Sequence, residues 1–194
     1  MSSISRPNVK LCLFIGFFSL ASFAARAQIV VHSVSGTVSS IDKAANTITV
    51  DTADGSEGLF NVLTKPHVSL DFDNKIRNEA IPADSFTKTG AHVVVYYFGG
   101  GFGGERNAVA LRDLGPGPLE QDEGTVVRFQ KHQRLLSIKT SSGEKTFHVN
   151  SQSVAETDIG PVEADKYEPE KGDQLQVIAE GSDGNMTALY IRVM

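Results

Sequence analysis

The sequence predicts an all-β protein: two small, closed, five-stranded barrels in tandem behind a leader peptide. Three observations support this prediction: an internal repeat, an alternation of apolar and polar residues within each copy, and a chain-breaking Gly–Pro segment at 115–118 between the copies. Alternation with a period of two is typical of strands with one buried face. The predicted divisions are a leader at 1–27, a first barrel at 28–114, a linker at 115–123 and a second barrel at 124–194.

The leader has the three-part layout of a secretory signal peptide. Arg6 and Lys10 supply positive charge, the apolar run 11–25 follows, and Ala25 and Ala27 place small residues before the cleavage point. The apolar run is shorter than the roughly 20 residues that a spanning helix needs. The sequence therefore predicts a periplasmic or secreted protein, cleaved after Ala27 and without a membrane span afterwards. A retained N-terminal anchor is the alternative.

Cleavage would leave 167 residues without cysteine, because Cys12 belongs to the leader. It would also remove three basic residues, so that 15 Lys and Arg stand against 23 Asp and Glu and the net charge becomes −8. A surface of that charge repels phosphate backbones. The composition therefore excludes thiol chemistry in the mature chain and disfavours nucleic acid as a partner.

The internal repeat covers most of the mature chain. Residues 36–55 align without a gap on 124–143, since both segments begin Gly-Thr-Val, carry Lys at the eighth position and end in glycine. After a deletion of one residue the match resumes downstream. The further matches are Phe60-x-Val62 with Phe147-x-Val149, 83–95 with 164–177, and 107–111 with 185–189.

Each copy contains five strand-like runs separated by turn residues such as Asn46, Gly55 and Gly143. The longest connection lies between the third and fourth runs, which suits a closed Greek-key barrel of the OB type. Closure also removes the free strand edges that an exported β-protein must protect. No sustained helical pattern occurs, although 74–86 and 156–167 are compatible with short helical turns.

The segment Gly99-x-Gly101-x-x-Gly104 has the glycine spacing of a dinucleotide-binding loop. Such a loop opens a helix, whose N-terminus holds the phosphate. The residues after Gly104 alternate like a strand instead, and the second copy turns between two strands through Gly181 and Gly184. The sequence therefore predicts a β-hairpin at this point and no bound nucleotide.

Three aromatic residues flank or occupy this glycine segment: Tyr96, Phe98 and Phe102. Because Tyr97 continues the inward series that contains Val95, Tyr96 and Phe98 are predicted to point to the opposite face of the strand. One interpretation packs the aromatic residues against the second barrel or the linker. The other is an exposed tip that contacts a partner, either an envelope protein or a glycan.

No metal ligand or cofactor is predicted. No two of the five histidines lie at i, i+2 or i, i+4, so the spacing typical of zinc or copper sites is missing. Weak cation binding by two acidic segments stays open, although Lys75 and Ile76 occupy positions where a calcium loop needs an oxygen ligand and a glycine. The acidic segments contain Asp71, Asp73 and Asn74 in the first copy and Glu156, Asp158, Glu163 and Asp165 in the second.

No catalytic residue is predicted either. The chain has no Gly-x-Ser-x-Gly nucleophile motif, and the mature chain has no cysteine. Neighbouring carboxylates occur only in predicted loops, without the apolar surroundings that would separate their pKa values. The sequence therefore favours a protein that is not an enzyme.

The tandem pattern resembles a domain-of-unknown-function family of exported bacterial proteins with OB-like barrel repeats. The resemblance implies export and the barrel fold, and it implies no activity or binding residue. Members of that family often have Leu-x-x-Gly-Asp before the fourth strand; the second copy keeps Gly172-Asp173 while the first has Gly90-Ala91, so the first barrel departs from the pattern. The matching residues are Gly36, Val38, Asp42, Gly55, Gly90, Val93 and Ala110 in the first copy and Gly124, Val126, Gly143, Gly172, Val177 and Ala188 in the second.

The sequence as a whole predicts a non-enzymatic, exported binding or structural module of the bacterial cell envelope. A periplasmic protein that binds a small ligand or a metal ion is the alternative, and a hydrolase is a third, less favoured interpretation. Fold alone does not decide between these functions.

Overall fold

A computed structural model describes residues 28–52, 57–63, 68–100, 104–182 and 184–194. The predicted fold class is confirmed: the protein is all-β, with two closed five-stranded barrels. None of the helices in these ranges has the length and hydrophobicity needed to span a bilayer.

The first barrel closes by a parallel pairing between its third and fifth strands. Its strands neighbour one another in the order β4 (Glu57–Val62), β3 (Thr47–Thr52), β2 (His32–Asp42), β7 (His92–Gly99) and β8 (Arg106–Asp113). Strand β4 also pairs with β8, Phe60 lying opposite Arg106. The short strand β6 extends the sheet beyond β8, and β1 and β5 form a separate parallel pair. The elements are β1 Ile29–Val30, β2 His32–Asp42, β3 Thr47–Thr52, β4 Glu57–Val62, β5 Leu70–Asp71, α1 Asn74–Glu79, β6 Ile81–Pro82, a 3-10 turn at Ala83–Ser85, β7 His92–Gly99 and β8 Arg106–Asp113.

The second barrel repeats this topology, with the order β11 (Gly143–His148), β10 (Leu135–Thr140), β9 (Leu119–Gln130), β14 (Gln174–Ser182) and β15 (Asn185–Val193). A parallel pairing of β11 with β15 closes it. An added hairpin, β12–β13, pairs with β15. Strand β9 begins at Leu119, inside the predicted linker 115–123, because Leu119–Glu123 pair with β14. The elements are β9 Leu119–Gln130, β10 Leu135–Thr140, β11 Gly143–His148, β12 Val154–Thr157, β13 Gly160–Glu163, β14 Gln174–Ser182 and β15 Asn185–Val193.

The internal repeat extends to single hydrogen bonds. The Val38 amide donates to the carbonyl of Ala91, and the Gly90 amide donates back to Val38, with N···O distances of 3.0 and 2.8 Å. In the second barrel Val126 makes the same two bonds, with Asp173 and Gly172, at 2.8 and 3.0 Å. The two barrels are therefore copies in backbone detail.

The register of the strands also identifies equivalent residues. Gly36 lies opposite Val93, and Gly124 lies opposite Leu175, so Val93 corresponds to Leu175 and Tyr96 to Ile178. Tyr97 lies opposite Ala108 on the last strand of the first barrel, and its counterpart Ala179 lies opposite Ala188 on the last strand of the second.

The sequence match of 107–111 with 185–189 is consequently wrong by two residues, since it aligned Ala110 with Ala188. A slip of two positions keeps every side chain on its own face of the strand, so the alternating pattern does not reveal the error.

Each barrel has its own apolar core, filled by inward-facing side chains. Phe60 and Phe147 occupy equivalent places and are fully buried. The connection between the third and fourth strands packs onto each core through Phe86 in the first barrel and Tyr167 in the second. The aligned pairs of core residues include Val38 with Val126, Ile48 with Leu136, and Val50 with Ile138.

The two predicted helical turns have different outcomes. Residues 74–79 do form α1, whose N-terminus is capped by the Asp73 carboxylate accepting from the Lys75 and Ile76 amides. In 156–167 the expectation holds only at the end: most of the segment belongs to the β12–β13 hairpin, and a turn follows in which the Tyr167 amide donates to the carbonyl of Ala164. The hairpin reverses at Gly160, which has a φ of +105° that favours glycine.

The glycine at the start of each copy permits a close approach between neighbouring strands. A Cβ atom on Gly36 would come closer than 3.0 Å to the carbonyl oxygen of Asp51, and one on Gly124 would do the same at Lys139.

We therefore expect Gly36→Ala and Gly124→Ala each to lower the free energy of unfolding by about 1–3 kcal/mol, measured by urea denaturation. Ser40→Ala, at an exposed position on the same strand as Gly36, is the control. Equal stability of all three variants would contradict this account.

Candidate functional site

The two barrels pack against each other through a third apolar cluster. The first barrel contributes Val94 and Tyr96 on β7, and the second contributes Val154, Ile178 and Tyr190. Val93 and Val95 alternate with these β7 residues and face the first core, which explains why the strand is apolar on both faces. The junction is therefore a second buried layer, outside both barrels.

Tyr96 is fully buried in this junction, as one of the two interpretations predicted. Its ring lies 5.1 Å from that of Phe72, so it does not belong to an exposed aromatic tip. Phe98 is half-buried, and Phe102 lies outside the described residues. A partner contact at Phe98 or Phe102 stays a prediction.

The glycine segment joins β7 and β8, which pair antiparallel with Phe98 opposite Asn107 and Gly99 opposite Arg106. The predicted hairpin is confirmed, and the residues after Gly104 form strand β8 instead of a helix. The nucleotide interpretation therefore lacks the helix N-terminus that a phosphate needs.

A buried carboxylate connects the two barrels beside the apolar cluster. Glu156 on β12 accepts hydrogen bonds from the backbone amide and the hydroxyl of Ser33 on β2, at 2.9 and 2.7 Å. The Nδ1 atom of His32 lies 3.1 Å from its other oxygen. Tyr190 donates its hydroxyl to the carbonyl of Ser33 at 3.0 Å. Burial raises the pKa of Glu156, because desolvation outweighs the hydrogen bonds from Ser33 and His32, which lower it.

Two lysines pair with carboxylates from both of the acidic segments that left cation binding open. Glu163 pairs with Lys166 at 2.6 Å and also with Lys75 on α1 of the other barrel. Lys166 lies 3.7 Å from Asp73. Hydrogen bonds from Lys166 and Lys75 lower the pKa of Glu163. The two predicted acidic segments thus meet at the junction and share two ammonium groups.

A cleft of about 280 Å³ opens between the barrels next to this junction. Its first-barrel wall contains a row of three polar side chains on adjacent strands, because Thr37 lies opposite both Asp51 and His92. The Thr37 hydroxyl lies 2.9 Å from Nδ1 of His92. The described lining residues are Ser35, Gly36, Thr37, Asp51, Thr52 and His92 from the first barrel, Leu114 directly after its last strand, and Leu119, Glu120, Gln121 and Ile178 from the second barrel.

Ser35 is the unusual residue of this lining. It is 2% exposed, and its hydroxyl has no hydrogen-bond partner among the described residues. A buried hydroxyl without a partner costs about 1–3 kcal/mol. Ser35, a residue that lines the cleft, therefore has an unsatisfied buried hydroxyl.

The remaining histidines do not gather around this site. His132 lies in an exposed turn and His148 is exposed on β11, while His67 lies outside the described residues. Within the described ranges no group of three or more His, Cys, Asp or Glu side chains is arranged to hold a metal ion.

Sequence reasoning did not identify the cleft residues. Ser35, Thr37 and Asp51 occupy the outward positions of strands, where polar residues are ordinary in a barrel. The one available signal was the continuous apolar run 93–96, which indicated that the outer face of β7 is covered. Which residues would then line the edge of the covered surface depends on how the barrels dock.

No protein-family model matches the chain, and a search of curated proteins finds no match. The resemblance to exported bacterial proteins with OB-like repeats stays a prediction. The geometry of the junction and its cleft is therefore the basis for assigning a function.

Stability should depend on pH through Glu156. Its pKa is higher in the folded chain than the ordinary glutamate value, so its contribution to stability is fully present below that ordinary value and is lost as pH rises through the folded pKa. We expect the unfolding free energy of the wild type, relative to Glu156→Gln, to fall across this window. Urea denaturation between about pH 4 and pH 8 measures it.

Glu144→Gln, which removes one exposed carboxylate from β11, is the control for the change in net charge. Repeating the comparison in a His32→Gln background isolates Glu156 from the imidazole. A relative stability that is constant or increases with pH would contradict the buried carboxylate's role.

Proposed function

We propose that the protein is a non-enzymatic, exported binding module of the bacterial cell envelope, which holds a small polar ligand in the cleft between its barrels. The single observation that carries the proposal is the buried, unpartnered hydroxyl of Ser35 at the wall of that cleft. A ligand that hydrogen-bonds to this hydroxyl would remove its desolvation cost, which gives binding a specific source of free energy.

The composition of the cleft supports a small ligand. Sites for small molecules are concave, with an apolar wall and a few converging polar groups. Leu114, Leu119 and Ile178 supply the apolar wall here, and the row of Asp51, Thr37 and His92 supplies polar groups. A volume of about 280 Å³ suits a compact molecule.

The hydrogen bonding of the two histidines supports binding over hydrolysis. In a hydrolytic triad the histidine lies between the nucleophile and the carboxylate. In the cleft wall, Thr37 and not His92 lies between the other two side chains of the row. At the junction, Glu156 and not His32 lies between the other two groups, because it bonds both Ser33 and His32. Ser33 is not among the described residues that line the cleft, and its hydroxyl donates to Glu156.

Export rests on the leader, with Arg6 and Lys10 before the apolar run 11–25. We expect the chain recovered from the periplasm or the medium to begin at Gln28, since Ala25 and Ala27 fit a signal peptidase site. Intact-mass measurement and N-terminal sequencing test this. A chain recovered in the membrane fraction with residues 1–27 attached would favour the retained anchor.

Ser35→Ala tests the binding function. Because the hydroxyl has no partner, we expect the variant to unfold at the same or a higher urea concentration than the wild type. Ser33→Ala, the matched buried serine, should lose about 1–3 kcal/mol because its hydroxyl bonds Glu156.

The same proteins are then screened by NMR against small polyols, amines and carboxylates. Compounds that bind the wild type should bind Ser35→Ala more weakly and should not bind Gln121→Trp, in which the indole fills the cleft. Compounds that bind all three proteins equally would overturn the cleft as the site.

A further inference from the structure

We infer that the ligand of the cleft is a small organic cation: an aliphatic ammonium compound that also carries a hydroxyl group. This inference rests on the proposed function and names its ligand class. Three independent features of the lining support it: the sign of its charge, its apolar wall and its free hydroxyl.

The charged lining residues come from both barrels and have the same sign. Asp51 on β3 and Glu120 on β9 are carboxylates, and no Lys or Arg is among the described residues that line the cleft. The Asp51 side chain is exposed and has no hydrogen bond or ion pair with another described residue. No described cation therefore competes with a ligand for this carboxylate.

Lys145 pairs with Glu120 and would compete with a cationic ligand for it, but Lys145 also pairs with a second carboxylate. Its ammonium lies 3.1 Å from Glu120 and 2.8 Å from Asp122, so one cation serves two carboxylates there. Together with Asp51, the region has three carboxylates for one lysine. A cationic ligand would balance this excess, whereas an anion would meet repulsion from both walls.

The apolar wall selects against a bare inorganic ion. Leu114 and Ile178 are buried for most of their surface, and Leu119 packs against the same cluster. A hydrated ion gains nothing from such a wall, whereas an alkyl chain buries its own apolar surface there. The free hydroxyl of Ser35 then provides a donor or acceptor for a ligand hydroxyl.

The charge of the whole molecule favours the same class of ligand. The full chain has a net charge of −5, and residues 28–194 have −8. Fields of this kind raise the local concentration of cations and speed their association.

The experiment compares three probes of equal length that differ only in one terminal group: aminohexanol, hexanediol and hydroxyhexanoate. We expect aminohexanol to bind the cleft about tenfold more tightly than hexanediol, since a charge-assisted hydrogen bond replaces a neutral one. Hydroxyhexanoate should bind more weakly than both. Shifts of backbone amide NMR signals during titration give the affinities and show whether the cleft residues respond.

Asp51→Asn and Glu120→Gln should each remove most of the preference for aminohexanol over hexanediol, while Glu144→Gln, outside the cleft, should leave it unchanged. Calcium chloride at the same ionic strength should not displace aminohexanol from the wild type. Equal binding of aminohexanol and hexanediol, tighter binding of hydroxyhexanoate, or displacement by calcium would overturn the inference.

The inference and the proposed function fail in different ways. If hexanediol or hydroxyhexanoate binds best and Gln121→Trp abolishes that binding, the cleft is a ligand site of another chemical class. If no probe shifts the cleft signals and the broader screen gives no compound that depends on Ser35, both are wrong.

Discussion

The burial of one outward face of each barrel against the other is the constraint on which the rest of the structure depends. Equivalent positions in the two copies form this contact: Tyr96 corresponds to Ile178, and Ala110 corresponds to Tyr190. A large residue in one copy is matched by a smaller one in the other, so the two surfaces interlock. Without this docking, each barrel would expose an apolar strand face to water.

The junction also explains why the buried carboxylate of Glu156 has several hydrogen-bond partners. Glu156 comes from the hairpin that is added to the second barrel, and the groups that bond it come from the first strand of the first barrel. A carboxylate buried beside tyrosine rings needs such partners, because an unpaired buried charge is strongly unfavourable. Close backbone contact strengthens the same seam, since a Cβ on Gly160 would lie 2.6 Å from the carbonyl oxygen of Val31.

Differences between the outer faces of the two copies account for the cleft in a protein whose two cores are built from apolar residues at equivalent positions. Inward residues are restricted to the sizes that fill a small barrel. Outward residues are free to change, and at the junction they became apolar in the centre and polar at the edge. The cleft lies at that edge, where Ser35 is buried by the docking while its hydroxyl receives no partner.

The sequence by itself determined the fold class, the repeat and the β7–β8 hairpin, because alternation and turn glycines are local properties of the chain. It also indicated two possible environments for Tyr96. Only the tertiary structure decided between them, and only it brought Ser35 and Asp51 to one cleft with Glu120. Strand periodicity reports which side chains face outward, but what covers an outward face depends on how two folded units dock, and that is fixed by the shapes of surfaces distant in the chain.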